Sequence, residues 1–203
     1  MSRIRVISLR RRRPVCHNAV VRRRTSVLIR PCEPDDVPQI ASIYGHAVLT
    51  GTASFELEAP GAAEMGRRRA ALLEGGYPYL VAERDGRVAG YAYAGPYRAR
   101  PAYRSTVENS VYVAPARQGQ GIGRELLGAL LLSASVRGFR QMIAVIGDSG
   151  NLSSIRLHKA AGFTHVGVLR SVGWKHGRWL DTVLMQRPLG PGAEIPSDLA
   201  PAA

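Results

Sequence analysis

The run Arg117-Gln118-Gly119-Gln120-Gly121-Ile122-Gly123-Arg124 places three glycines at alternate positions between two arginines. Without side chains at those positions, backbone N–H groups can approach an anion closely, and a helix that starts there adds positive potential. The chemistry implied is the holding of a pyrophosphate. The spacing is not G-x-x-x-x-G-K-[ST], so this is not the loop of a nucleotide triphosphatase. It also lacks the third glycine at the interval a dinucleotide fingerprint needs. A glycine turn used only for close packing would look the same.

Other candidates surround this turn in sequence. Arg98, Arg100 and Tyr103 fall within six residues, and guanidinium groups suit a carboxylate or phosphinate through paired hydrogen bonds. A solvated loop is the alternative. Phe55, isolated in a polar stretch, is either an apolar pocket wall or the anchor of its own loop. Glu108 and His158 are the titratable candidates, against the readings of a solvent-facing strand carboxylate and a structural helix imidazole. His46 and His176 carry no comparable argument, although His176 lies in a loop that could border a pocket.

The elements that must position these residues follow from periodicity and turn chemistry. A short strand over 27–30 precedes Pro34-Asp35-Asp36, a helix start, and Val37, Ile40, Ala41, Ile43 and Tyr44 then repeat at helical spacing. Residues 50–60 read as loop, and a second helix over 62–73 stops at Gly75-Gly76. Asp85-Gly86 joins strands over 79–83 and 88–94 into a hairpin. Strand 106–113 leads into the glycine turn and a helix reaching Val136. An apolar strand over 141–146, a short helix over 153–161, and a closing hairpin (163–172 and 179–185, through Lys175-His176-Gly177) complete the chain. Strands and helices alternate only in part, which predicts an α/β (α+β) domain: a mixed sheet with helices on both faces.

Composition bounds the function classes. The 203 residues suffice for one domain, with 45% hydrophobic and 21% charged residues in a soluble globular balance. The longest apolar run, 126–134, is broken by Gly128 and Ser133 and is too short to span a bilayer. Nine arginines precede Thr25 with no acidic residue among them; taken from the net charge of +13, they leave +4. The basic excess therefore belongs to a leader, residues 1–26, read as a disordered extension, with an organellar transit peptide or a phosphate-binding arm as alternatives. The domain is expected over 27–190 and a flexible Pro/Ala-rich tail over 191–203. Two cysteines, Cys16 and Cys32, form neither a disulfide framework nor a metal-ligand spacing, and fit a reducing cytoplasm.

The glycine turn has company in the right order. Strand Val111-Tyr112-Val113-Ala114-Pro115 precedes Gln118-x-x-Gly121-x-Gly123, and an amphipathic helix follows. Ala94-Gly95-Pro96-Tyr97-Arg98-Ala99-Arg100-Pro101-Ala102-Tyr103, Val107-Glu108-Asn109-Ser110-Val111-Tyr112-Val113, Val145-Ile146-Gly147 and Gly173-Trp174-Lys175-His176-Gly177-Arg178-Trp179 complete the pattern. Together, over residues 29–189, they resemble the GNAT N-acetyltransferase family, in its phosphinothricin and methionine sulfoximine N-acetyltransferase branch.

The resemblance implies a GNAT fold: a mostly antiparallel sheet of about seven strands with about four helices, its fourth and fifth strands splayed to admit acetyl-CoA. It implies that the backbone of Val111, Tyr112 and Val113 pairs with the pantetheine arm. Gln118, Gly119, Gln120, Gly121, Ile122, Gly123 and Arg124 would hold the pyrophosphate, and Asn151 would bind further along the cofactor. Glu108 becomes the candidate general base, His158 a secondary catalytic residue, and Phe55, Arg98, Arg100 and Tyr103 the substrate side. The acceptor would be the α-amine of a small amino acid or analogue (phosphinothricin, methionine sulfoximine or sulfone), acetylated by direct transfer in a ternary complex with no metal. No Ser or Cys stands beside a base in the sequence. A homodimer is implied; membrane and nucleic-acid partners are not. Another amine (a protein N-terminus or an aminoglycoside) and a nucleic-acid role for the leader remain the alternative readings.

Overall fold

The computed structural model describes residues 26–196. The leader and the tail therefore lie outside the described residues, apart from Ser26 and residues 191–196. The latter leave the last strand in two turns, with Gly192 N–H donating to Leu189 O and Glu194 N–H to Pro191 O.

Seven strands form one sheet: β1 (Leu28–Pro31), β2 (Tyr79–Arg84), β3 (Arg87–Pro96), β4 (Thr106–Val113), β5 (Gln141–Gly147), β6 (Thr164–Lys175) and β7 (Arg178–Pro188). Their order is β1-β2-β3-β4-β5-β7-β6, and only β4 and β5 run parallel. Four α-helices cover it: α1 (Val37–Thr50), α2 (Ala62–Glu74), α3 (Ile122–Val136) and α4 (Leu152–Ala160).

The two faces of the sheet are built differently. On one, α1 and α2 contribute Ile40, Ile43, Val48 and Met65 against the large side chains Tyr79, Val81, Val88 and Tyr91. On the other, α3 lays Ile122, Leu126, Leu127 and Leu130 on Ala82, Ala89, Ala92 and Ala94. Small residues there let α3 sit close. A Cβ at Gly90 would come within 2.8 Å of Tyr112 O and 3.1 Å of Leu126 Cδ1. The start of α1 is tied to the sheet edge by Arg30, whose guanidinium bonds both oxygens of the buried Asp36 (2.7 and 2.8 Å) and reaches Glu83 at 2.9 Å. Those bonds hold the Asp36 carboxyl below its ordinary pKa.

Turn chemistry accounts for most boundaries. Asp85 and Gly86 both have positive φ (55° and 70°), as a two-residue hairpin turn requires. The last hairpin is longer than its sequence suggests. His176 and Gly177 alone make the turn (φ 50° and 71°), so Lys175 pairs with Arg178 and both strands extend to it. An irregularity between Leu169 and Gly173, with Ser171 at φ 52°, interrupts the apolar alternation that would have marked the strand as continuous.

Leu126, fully buried where α3 packs on Gly90, gives a direct test of this packing. Leu126→Ala should cost about 2–5 kcal/mol of unfolding free energy. Urea denaturation should show a lower midpoint with an unchanged slope.

Candidate active site

Strand pairing produces the site. β4 and β5 pair in register from Thr106 and Gln141 only as far as Asn109 and Ala144. β4 stays bonded to β3 through Val113, while β5 stays bonded to β7 through Gly147. The β5-facing edge of Ser110–Val113 therefore has no strand partner, and a crevice opens along it. Two cavities occupy the crevice, of about 320 Å³ and about 800 Å³, and Ala53, Val111, Tyr112, Asn151 and Ser154 line both.

The larger cavity is floored by the glycine turn. Gly119 and Gly121 have φ of 70° and 88°, and nothing lies within 4 Å of where a Cβ would stand on either. Backbone N–H groups from Gly119 to Gly123 donate to no backbone carbonyl among the described residues, and Gly121 caps α3 without a side-chain cap. These are open donors at a helix N-terminus, so the turn fits an anion of pyrophosphate size. Gln118, Gly119, Gly121, Ile122 and Gly123 line this cavity with Val113 and Arg117. Gln120 and Arg124 do not. Gln120 is bonded instead to Arg84 Nη1 (2.6 Å) and Ala116 O (3.1 Å), and Arg124 is exposed. Asn151 caps α4, its Oδ1 accepting from Ser154 N at 3.3 Å.

The smaller cavity holds the titratable groups. Glu108 lines it beside Tyr93 and Ser110, and burial raises its pKa, opposed by the positive charge of Arg98. His158 is buried on the same cavity, its Nδ1 2.8 Å from Ser154 O and its Nε2 2.9 Å from Asn109 Oδ1. Two acceptors facing two ring nitrogens are both satisfied only by the doubly protonated imidazole. Burial opposes that charge and lowers the pKa. A ring so placed releases its second proton readily.

One arrangement was not foreseen: Ser154 Oγ stands 3.4 Å from His158 Nδ1. It is a serine beside a base after all. The same Nδ1 is committed as a donor to the Ser154 carbonyl, however, so it cannot take the hydroxyl proton.

Phe55 both borders a cavity and anchors its loop. It lines the smaller cavity, and its ring rests on β6 at Gly173 and on β5 at Gly147, where a Cβ on either glycine would press into it. Arg98, Arg100 and Tyr103 line neither cavity. Tyr103 meets Tyr97 edge-on at 5.6 Å, and the Arg98 guanidinium lies 5.1 Å from the Tyr97 ring centre. Arg98 is still near enough to Glu108 to influence its charge.

Tyr44, Tyr93 and Lys175 carry no site signal in the sequence. Tyr44 and Tyr93 both line the smaller cavity, and burial is the main cause that pushes the Tyr44 pKa up to about 12, keeping it a donor. Tyr44 has the helical spacing of a core residue, a role it also serves, so periodicity holds no second signal. Among the described residues no group of three or more His, Cys, Asp or Glu is placed to hold a metal ion.

Comparison with known proteins bears on this crevice. A family model described as acetyltransferase (GNAT) domain matches residues 29–184. The chain is 56% identical to a phosphinothricin N-acetyltransferase of Alcaligenes faecalis over 83% of its length and 86% of that protein. It is 43% identical to an L-methionine sulfoximine/L-methionine sulfone acetyltransferase of Salmonella typhimurium, covering 79% of this chain and 94% of the relative. A phosphinothricin acetyltransferase from Sinorhizobium meliloti, solved with AcCoA, superposes with a TM-score of 0.83 at 45% identity, covering 86% of this chain and 95% of the other.

The crevice wall depends on close backbone approach at Gly147, and Gly128, outside the crevice on α3, gives the opposite case. A Cβ at Gly147 would overlap Thr52 O, so Gly147→Ala should cost about 1–3 kcal/mol. Gly128, inside α3 with open space around it, should gain about 0.5–1 kcal/mol on substitution by Ala. Chemical denaturation of the two variants should move in opposite senses.

Proposed function

This chain belongs to the GNAT acetyltransferase family and is an acetyl-CoA-dependent acetyltransferase, and on that premise we propose that it acetylates the α-amine of a small amino acid or analogue. Phosphinothricin, methionine sulfoximine and methionine sulfone are the acceptors that the names of its relatives point to. The observation carrying this reading is the continuous crevice from the glycine turn, along the open edge of β4, to the cavity beside Glu108.

Acetyl-CoA supplies the acetyl thioester. The residues that would hold it are Gln118, Gly119, Gly121, Ile122 and Gly123, through N–H groups and the helix N-terminus, and Val111, Tyr112 and Val113, through an edge ready to accept one more extended chain. An N–H on that edge is the donor for the thioester carbonyl. Asn151 stands at the junction of the cavities, whereas Gln120 and Arg124 lie outside them.

An amino-acid amine arrives protonated and must become neutral to attack. Glu108 removes that proton, its raised pKa making it a better base than a solvated carboxylate. His158, on the same cavity, is a secondary catalytic residue whose ring is held by Asn109 and Ser154. Arg98, Arg100 and Tyr103 line neither cavity; Arg98, whose charge reaches Glu108, is the member of the three best placed to meet the acceptor's carboxylate. Transfer is direct, since Ser154 has no base to activate it. On this reading the enzyme is a cytoplasmic homodimer, as its family resemblance implies. No helix among the described residues is long and apolar enough to cross a membrane.

Glu108→Gln tests the base. Turnover should fall by about 10²–10⁴-fold with little change in the acetyl-CoA KM. In the parent enzyme kcat/KM should rise with pH through the Glu108 pKa, a limb set above the ordinary carboxylate range because burial raises it, and Glu108→Gln should lack that limb. The sign for stability is opposite. The folded state binds the Glu108 proton more tightly than the unfolded state, so stability is lost as pH climbs from the unfolded to the folded pKa. The Gln variant should therefore gain stability relative to the parent as pH rises through that window. Unchanged turnover in the variant would remove Glu108 from the chemistry.

A further inference from the structure

The segment that roofs both cavities is held almost entirely from outside itself. Ala53, Ser54 and Phe55 line the smaller cavity, and Gly51, Thr52 and Ala53 the larger. From Thr52 to Pro60 no backbone–backbone hydrogen bond is made among the described residues, so side chains alone fix the path.

Several of the groups that fix it come from the β6–β7 hairpin, more than a hundred residues away in sequence. Lys175 Nζ donates to Ser54 O at 2.7 Å, and His176 Nε2 donates to Gly51 O at 3.2 Å. Gly173 on the same strand is the seat of the Phe55 ring. Lys175 is 5% exposed, whereas its neighbour Trp174 is 57% exposed and the following turn is open. Burying an ammonium group is costly unless it is bonded, and an apolar side chain would fill the space without that cost. A lysine here makes sense as a donor aimed at one carbonyl.

The held carbonyl belongs to the residue that organises the acceptor wall. Ser54 Oγ is 2.9 Å from Tyr44 Oη, which donates to Glu56 Oε1 at 2.9 Å, and Glu56 is paired with Arg68 Nη1 at 2.6 Å. Tyr44 in turn meets Tyr112 edge-on at 5.0 Å, on the open part of β4. A chain of contacts thus runs from Lys175 through Ser54 and Tyr44 to the strand edge.

We infer that the β6–β7 turn is a clasp for the acceptor side of the site, with Lys175 a positioning residue that sets Ser54, Phe55 and Tyr44 through the Ser54 carbonyl. The inference rests on the proposed acetyl transfer to an amino acid for its kinetic consequence, but its structural consequence is independent of that reading. Lys175 touches no reacting atom; it sets the wall against which the acceptor is held.

Hydrogen exchange and steady-state kinetics on Lys175→Met, which keeps the volume of the stem and removes the donor, test it. Exchange in peptides covering residues 51–56 should accelerate by about tenfold or more while β4 peptides are unchanged. The amino-acid KM should rise about five- to twentyfold, with kcat within about threefold and the acetyl-CoA KM within about twofold. A folded variant with unchanged exchange at 51–56 overturns the clasp. So does an equal rise in both KM values, or an unchanged amino-acid KM despite faster exchange. Should Lys175→Met fail to fold, Gly173→Ala unseats Phe55 with Lys175 intact and is held to the same KM split. Were the parent enzyme to turn over no amino acid, the functional reading would fall, while exchange would still decide the clasp.

Discussion

Between Asn109 and Ala144 the sheet stops being a sheet. Up to that point β4 and β5 exchange hydrogen bonds; beyond it each remains bonded only to its outer neighbour. Backbone groups in a protein interior are ordinarily paired, because leaving them unpaired costs free energy. The exposed edge of Ser110–Val113 is thus free to pair with one more extended chain, and the other parts of the crevice are arranged around it. The glycine turn lies just past the end of β4, Glu108 just before the parting, and α4, capped by Asn151, begins at Leu152 just past the end of β5. Asn109 sits at the fork itself. Its Nδ2 donates to Ile143 O at 3.3 Å across the last paired rungs, while its Oδ1 meets His158 at 2.9 Å.

The contrast between the two sheet faces follows from the same constraint. α3 must start at the glycine turn and run back across β4 and β3, and it can do so only because Gly90, Ala92 and Ala94 leave room for Leu126 and Leu130. On the opposite face, bulky tyrosines fill the gap beneath α1. Tyr91 stacks with Tyr79 (5.9 Å) and Tyr112 (5.3 Å), and Tyr79 with Tyr93 (5.1 Å). That aromatic layer continues into the smaller cavity through Tyr44 and Tyr93, so core packing and acceptor wall are one structure.

What could be read from the sequence was what is local. Asp85-Gly86, the glycines after β4, and the proline and acidic residues before α1 act within a few residues of themselves, and their elements appear where expected. Non-local arrangements were not legible. Lys175 bonds to Ser54 across 121 positions and His158 to Asn109 across 49, and neither pair leaves a periodic trace. Tyr44 carries a helical spacing that core packing already explains. Arg98, Arg100 and Tyr103 look like a pocket cluster because they are close in sequence; in space they line neither cavity, and Tyr97 gathers Arg98 and Tyr103.

The central claim is that the crevice brings acetyl-CoA and an amino-acid amine together beside Glu108. Its most direct measurement is thiol release from acetyl-CoA against a panel of amino acids including phosphinothricin, methionine sulfoximine and methionine sulfone, each paired with its N-acetylated form. The account predicts release well above the hydrolysis background with free α-amines of that class, and none with the blocked partners. Release that ignores the amino acid, or that appears only with aminoglycosides or peptide N-termini, would contradict it.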